Sequence, residues 1–153
     1  MPRIWRLCAQ NWATSAFNGA GAADNPGRWN RLGQRAVYCA ESRALGALEV
    51  LAHVENKRLL RRARFVAIPV DVPDELIQRP AKFPSDWRNT PPAESTRKFG
   101  TKFFRSSPLP VLRVPSAVVD GEWCFVLNPA HPKFGELGIG APEVFAFDPR
   151  VTE

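Results

Sequence analysis

Apolar residues along the chain fall into short runs separated by stretches rich in Gly, Pro and Asn. Their spacing changes between the two-residue period of strands and the longer period of helices. Ile4 to Cys8 (IWRLC) predicts a strand near the amino end. Phe17 to Asn30 (FNGAGAADNPGRWN) is dense in Gly, Ala and Asn and predicts an irregular loop. Gly33 marks a further turn, and Ala36 to Cys39 (AVYC) predicts a second strand. A helix follows, with Ser42 as its cap and its end near Glu55 or Leu60. Leu45, Leu48 and Ala52 share one face of it at i, i+3 and i+7.

The second half alternates in the same way. Phe65 to Val70 (FVAIPV) is apolar on both faces and predicts an internal strand closed by Pro69 and Pro73. Repeated prolines and the polar turn SDWRNTPP predict a surface excursion over 71–92, with one short helix near Asp74 to Ile77. Ala93 to Arg105 predicts a second long helix despite Gly100, and 111–116, 123–128 and 144–148 predict three strands. The segment NPAHPKFGELGIG between the last two reads as a loop. No repeat or linker divides the chain, so residues 1–153 are expected to form one domain. Strands and helices do not alternate regularly, which predicts an α+β fold over a doubly wound one.

Composition narrows the partners. Lys and Arg number 21 against 15 Asp and Glu, and the net charge of +6 favours an anionic partner. Arginine carries most of that charge and suits bidentate phosphate contacts. The run KRLLRRAR (57–64) is either a solvated helix exit or a nucleic-acid patch. Cys8, Cys39 and Cys124 are odd in number and far apart, so free thiols are expected, with no disulfide framework or metal site. No run is long enough to span a membrane, and no secretory signal opens the chain, which points to the cytoplasm. Neither GxGxxG after a strand nor GxxxxGK[ST] is present.

Candidate chemistry gathers in residues 27–55 (GRWNRLGQRAVYCAESRALGALEVLAHVE). Glu49 lies in an otherwise apolar helix, where a buried carboxylate without partners is costly. Either it points to water or it is placed for chemistry. Its spacing from Leu45 sets it at the border of the buried face. Arg28 sits in a turn bounded by Gly, Asn and Pro, Tyr38 ends the second apolar run, and His53 follows Glu49 by one turn as a structural or exposed residue.

With GAGAADNPGRWN, VYCAESRALGALEVLAH, VLRVPSAVV and NPAHPKF in this order, the chain resembles the RES-domain family. That family comprises NAD+-consuming toxins of Xre–RES toxin–antitoxin pairs and is named after an Arg, a Glu and a Ser, matched here by Arg28, Glu49 and Ser116. The resemblance covers roughly Ile4 to Arg150. It implies an ADP-ribosyltransferase-like fold with a mixed, split β-sheet core around an NAD-binding cleft. It further implies NAD+ as substrate, inorganic phosphate as co-substrate, no metal, and an Xre-like antitoxin that blocks the cleft. It leaves room for a homo-oligomer inside such a complex.

On that reading Glu49 stabilises the oxocarbenium-like charge that develops on the ribose as nicotinamide leaves. Arg28 clamps the pyrophosphate, with Gly27 giving the backbone close approach. Tyr38 stacks on the nicotinamide, Ser116 binds ribose or phosphate, and Asn128 contributes to the cleft wall. Trp29 is assigned to packing. Two other readings stay open, mono-ADP-ribosylation of a cellular protein and a basic nucleic-acid-binding module.

Overall fold

Alternation along β1 (Arg3–Ala9) puts Ile4 and Cys8 on one face and Trp5 and Leu7 on the other, and both faces are covered. In the computed structural model, which describes residues 1–153, β1 lies near the middle of a mixed sheet. The other strands are β2 (Val37–Ala40), β3 (Phe65–Asp71), β4 (Ile77–Gln78), β5 (Val111–Pro115), β6 (Trp123–Leu127), β7 (Gly138–Ile139) and β8 (Glu143–Phe145). Their order is β4-β5-β6-β2-β1-β3-β7, with β8 also pairing with β3. Only β4 and β5 run parallel; every other pair is antiparallel. β3 is internal, as its apolar composition predicts, with β1 on one side and β7 and β8 on the other.

Pro69 does not close β3. It sits inside the strand, opposite Trp5, and its carbonyl accepts a hydrogen bond from the Gly140 N–H at 2.8 Å. The predicted helix near Asp74 is a single 3-10 turn (Asp74–Leu76) that leads into β4. β4 and β7 are two residues each, too short for an alternating pattern to announce them. The glycine-rich loop contains one short helix, α1 (Ala20–Asp24).

The two long helices are α2 (Arg43–His53) and α3 (Glu94–Ser106). Ser42 caps α2, its Oγ accepting from the Leu45 N–H at 3.0 Å. The buried face of α2 differs from the prediction. Leu45 and Gly46 are buried, whereas Leu48 is 45% exposed and Ala52 faces solvent. Leu45 and Gly46 form the buried part of the helix, half-buried Glu49 and Val50 continue that side, and His53 at its end is exposed, so Glu49 stands beside the buried face where its spacing from Leu45 sets it. Gly46 permits the close approach to β1, since a Cβ there would stand 2.9 Å from Leu7 Cδ1.

α3 packs through Phe103 and Phe99 onto Leu112, Val114 and Val126, the same sheet face that carries Tyr38 and Cys124. Gly100 is required by contact: a Cβ there would fall 1.6 Å from the Trp29 carbonyl oxygen. The glycine that weakens the helix in isolation is what lets Trp29 and its loop dock. The opposite sheet face holds the larger core around Ile4, Val37, Val70, Val111 and Leu127. Lys57–Arg61 is a separate 3-10 turn anchored by buried Leu60, not an extension of α2. No helix is long and apolar enough to cross a membrane.

Candidate active-site cleft

α2 and the 20–30 segment leave a cleft of about 370 Å3 over one sheet face. Paired residues point to the same side, so Ala40, Cys124 and Val114 form one floor row and Tyr38 lies in the next. Glu49 and His53 enter from α2, and Arg28 lines the cleft from the loop.

Glu49 is held by one of its two oxygens. Oε1 accepts from Ser116 Oγ at 2.9 Å and from Cys124 Sγ at 3.4 Å. Ser116 is only 2% exposed and lies behind the carboxylate, outside the cleft lining. Its Oγ also accepts from the Val118 and Val119 N–H groups at 3.1 and 3.0 Å, so its own proton is directed to Glu49. Oε2 has no protein partner and is not sealed from solvent. Glu49 therefore presents a fixed carboxylate with one oxygen free, which meets the cost of burial raised by the sequence.

Arg28 is anchored differently. Nη1 donates to the carbonyls of Trp87 and Asn89 at 2.9 and 2.5 Å, and Nη2 reaches Thr90 Oγ1 at 3.4 Å. Both Nη1 hydrogens are used, while Nε–H and one Nη2–H remain, the pair of donors that matches two oxygens of one anion. Burial pulls the guanidinium below its ordinary value, and the charge of Glu49 partly opposes that shift. An arginine so displaced remains a cation.

Tyr38 contributes its ring to the floor, but its hydroxyl is committed. It donates to Asn30 Oδ1 at 2.7 Å and accepts from the Trp29 N–H at 3.1 Å. Burial pushes the phenol well above its ordinary value. Gly27 is small for the sake of this ring: a Cβ would meet Tyr38 Oη and Cζ at 2.8 Å. Its N–H goes to Asn30 Oδ1 at 2.8 Å and is not offered to a ligand.

Asn30, which the sequence reading left unmarked inside a loop, is the hub of this wall. It is fully buried and donates through Nδ2 to Ala22 and Gln34 carbonyls at 2.8 and 3.0 Å while Oδ1 takes Gly27 and Tyr38. Cys124 was also missed as a site residue, because a thiol in a strand looks the same whether it packs or donates.

Asn128 lies elsewhere. It borders a separate depression with Arg35 and His131, and its Oδ1 caps the Ala130 N–H at 3.0 Å. Asn128 thus stands outside the cleft wall assigned to it, since the NPAHP turn folds to the α3 C-terminal side. Trp29 is 2% exposed, packed edge-on to Phe83 and Phe99, in agreement with a packing role. His53 lines the cleft mouth, and its Nδ1 donates to the Glu49 carbonyl at 2.7 Å. The cysteines form no disulfide, and no cluster of His, Cys, Asp and Glu capable of holding a metal ion occurs.

Comparison with known proteins gives three concordant results. The family described as RES domain matches residues 3–148. A protein called Toxin Res from Yersinia enterocolitica is 33% identical over 97% of this chain and 98% of its own. A protein called Prs ADP-ribosylating toxin from Sphingobium is 35% identical over 97% of this chain and 95% of its own. Among solved structures, the M. tuberculosis MbcT–MbcA toxin–antitoxin complex contains a chain that superposes with a TM-score of 0.71 at 18% identity, covering 95% of this chain and 84% of that one. The chain accordingly shares the fold of that chain, a mixed β-sheet with flanking helices, in keeping with the α+β architecture expected from the sequence.

Proposed function

The chain belongs to the RES-domain family, and on that premise we propose that it is an NAD+-cleaving toxin of a toxin–antitoxin pair. The observation that carries this reading is Glu49, clamped by Oε1 with Oε2 open to a cleft that Arg28 also lines. The residues fit NAD+ in charge: a cation with a free pair of donors for the pyrophosphate and a fixed anion for the ribose.

Arg28 takes two pyrophosphate oxygens with its Nε and Nη2 hydrogens. The ring of Tyr38 offers a flat apolar surface to the nicotinamide. The bond between the nicotinamide nitrogen and ribose C1 then breaks, and its electron pair neutralises the pyridinium. No general acid is needed for that leaving group. Positive charge develops on the ribose, and Glu49 Oε2 stabilises it electrostatically or accepts a hydrogen bond from a ribose hydroxyl. An acceptor oxygen closes the reaction at C1, from inorganic phosphate in phosphorolysis or from water, with loss of a proton, in hydrolysis.

A second reading changes the acceptor to a protein side chain. It is favoured by the 35% identity to the Sphingobium relative, whose name describes ADP-ribosylation. The partner in either case is an Xre-like antitoxin that covers the cleft, in keeping with the complex from which the M. tuberculosis neighbour comes. The nucleic-acid reading rests on the basic run 57–64, which stands apart from the cleft, and it predicts salt-dependent binding to DNA or RNA.

Incubating purified protein with NAD+, with and without phosphate, tests the proposal. Release of nicotinamide is expected, and its rate rises with phosphate if the acceptor is phosphate. Labelled NAD+ in a cell extract gives a modified protein band under the second reading. An unchanged NAD+ pool in every arm overturns both.

A further inference from the structure

Glu49 is held by two donors of different kinds, and both act on the same oxygen. Ser116 reaches it from the end of β5. Cys124 reaches it from β6, where it is paired with Ala40 on one side and Val114 on the other. A residue so placed in the interior of the sheet has little freedom to move, so its thiol is a fixed donor.

We propose that Cys124 is a positioning residue for Glu49: its S–H···Oε1 hydrogen bond, with that of Ser116, pins the carboxylate so that Oε2 is the oxygen presented to the ribose. The proposal rests on the NAD+-cleaving reading of the cleft. With a single donor on Oε1 the carboxylate is free to pivot about that contact. Two donors arriving from adjacent strands fix its plane. Oε2, which has no partner, is thereby turned toward the space that Arg28 also lines.

The thiol is suited to stay a donor. Burial, reinforced by the charge and hydrogen bond of Glu49, pushes its ionisation far up, so the proton remains on sulfur. Cys8 and Cys39 do not share this role, since both are buried and neither is bonded to a side chain of the cleft.

The test is kinetic, with a spectroscopic arm. Cys124→Ala and Cys124→Val remove the donor and are expected to lower kcat for NAD+ cleavage about tenfold with KM changed by less than about twofold, the signature of an interaction used in the transition state. Cys124→Ser keeps a donor and is expected to restore kcat to within about threefold of wild type. Thermal melting of all three identifies any loss that is only unfolding. An unchanged kcat in Cys124→Ala overturns the proposal, and so does a Cys124→Ser protein that melts like wild type yet is as slow as Cys124→Ala.

Infrared spectra separate this proposal from the NAD+ reading. The S–H stretch assigned to Cys124, identified by its loss in Cys124→Ser, is expected to move to a free-thiol frequency in Glu49→Ala. An unmoved band overturns the clamp even where NAD+ cleavage is confirmed. A moved band in a protein that is inert toward NAD+ keeps the Cys124–Glu49 bond and overturns only its role toward the ribose.

Discussion

The two walls of the cleft hold their charged groups by opposite means. On the α2 wall, Glu49 is fixed by side chains, Ser116 and Cys124, that project from the ends and interior of adjacent strands. On the loop wall, Arg28 is fixed by backbone carbonyls of Trp87 and Asn89, supplied by a proline-rich surface excursion. A carboxylate needs donors, and in a sheet whose own N–H groups are paired those must come from side chains. A guanidinium needs acceptors, and a loop has carbonyls to spare. The supports of Glu49 are therefore removed by single side-chain substitutions, whereas the carbonyls that hold Arg28 survive any substitution that leaves the path of the backbone unchanged.

The sharpest break in this comparison is Glu49→Gln. The amide keeps the shape and still accepts from Ser116 and Cys124, but loses the charge that meets the developing cation. Removing an electrostatic contact of this kind costs about 10²–10³ in turnover. We expect such a loss in nicotinamide release with an unchanged melting temperature. A variant within about tenfold of wild type would remove Glu49 from the chemistry.

Next in size is Asn30→Ala, which attacks the loop wall through the buried side chain that sets the path of its backbone. The change strips partners from the Gly27 N–H, the Tyr38 hydroxyl and the Ala22 and Gln34 carbonyls, groups of half-buried residues gathered around the fully buried Asn30. Orphaned buried groups cost about 1–3 kcal/mol each where water cannot reach them. Allowing for relaxation, a loss of about 3 kcal/mol is expected, which lowers the melting midpoint by roughly 6–12 °C. Arg28 follows Gly27 in the chain, so KM for NAD+ should rise in the same protein. A melting curve that superposes on wild type would show that the loop wall is held elsewhere.

The same contrast explains what was legible in the sequence. Glu49 announced itself as a charge inside an apolar helix, and Ser42, α3 and the strands of the central sheet followed from caps and periodicity. The buried face of α2 was misassigned because Leu48 is apolar yet 45% exposed, while Gly46, which carries no hydrophobic signal, is buried. A cleft-lining helix breaks the usual pattern where one side of it must stay open. Asn30 gave no signal because its bonds tie together an irregular loop that has no period, and Cys124 gave none because its partner is 75 residues away. Asn128 was placed by the company of its motif, and its capping of Ala130 shows a turn residue with a local purpose.

The smallest effect is the most pointed. Asn89 supports Arg28 through its carbonyl alone, and its side chain is exposed and makes no hydrogen bond. Asn89→Ala removes every side-chain atom beyond Cβ and leaves the carbonyl in place. The expected change in KM is less than about twofold, with kcat and melting temperature unaltered, since surface substitutions away from special features stay within about 0.5 kcal/mol. Ser116→Ala, the corresponding deletion on the other wall, takes away the donor itself and leaves Glu49 Oε1 with the thiol only. Measured side by side, the two alanines ask whether the support is carried by the main chain or by the side chain. A rise of tenfold or more in KM for Asn89→Ala would mean that the loop wall depends on the Asn89 side chain after all, and the distinction between the walls would fail.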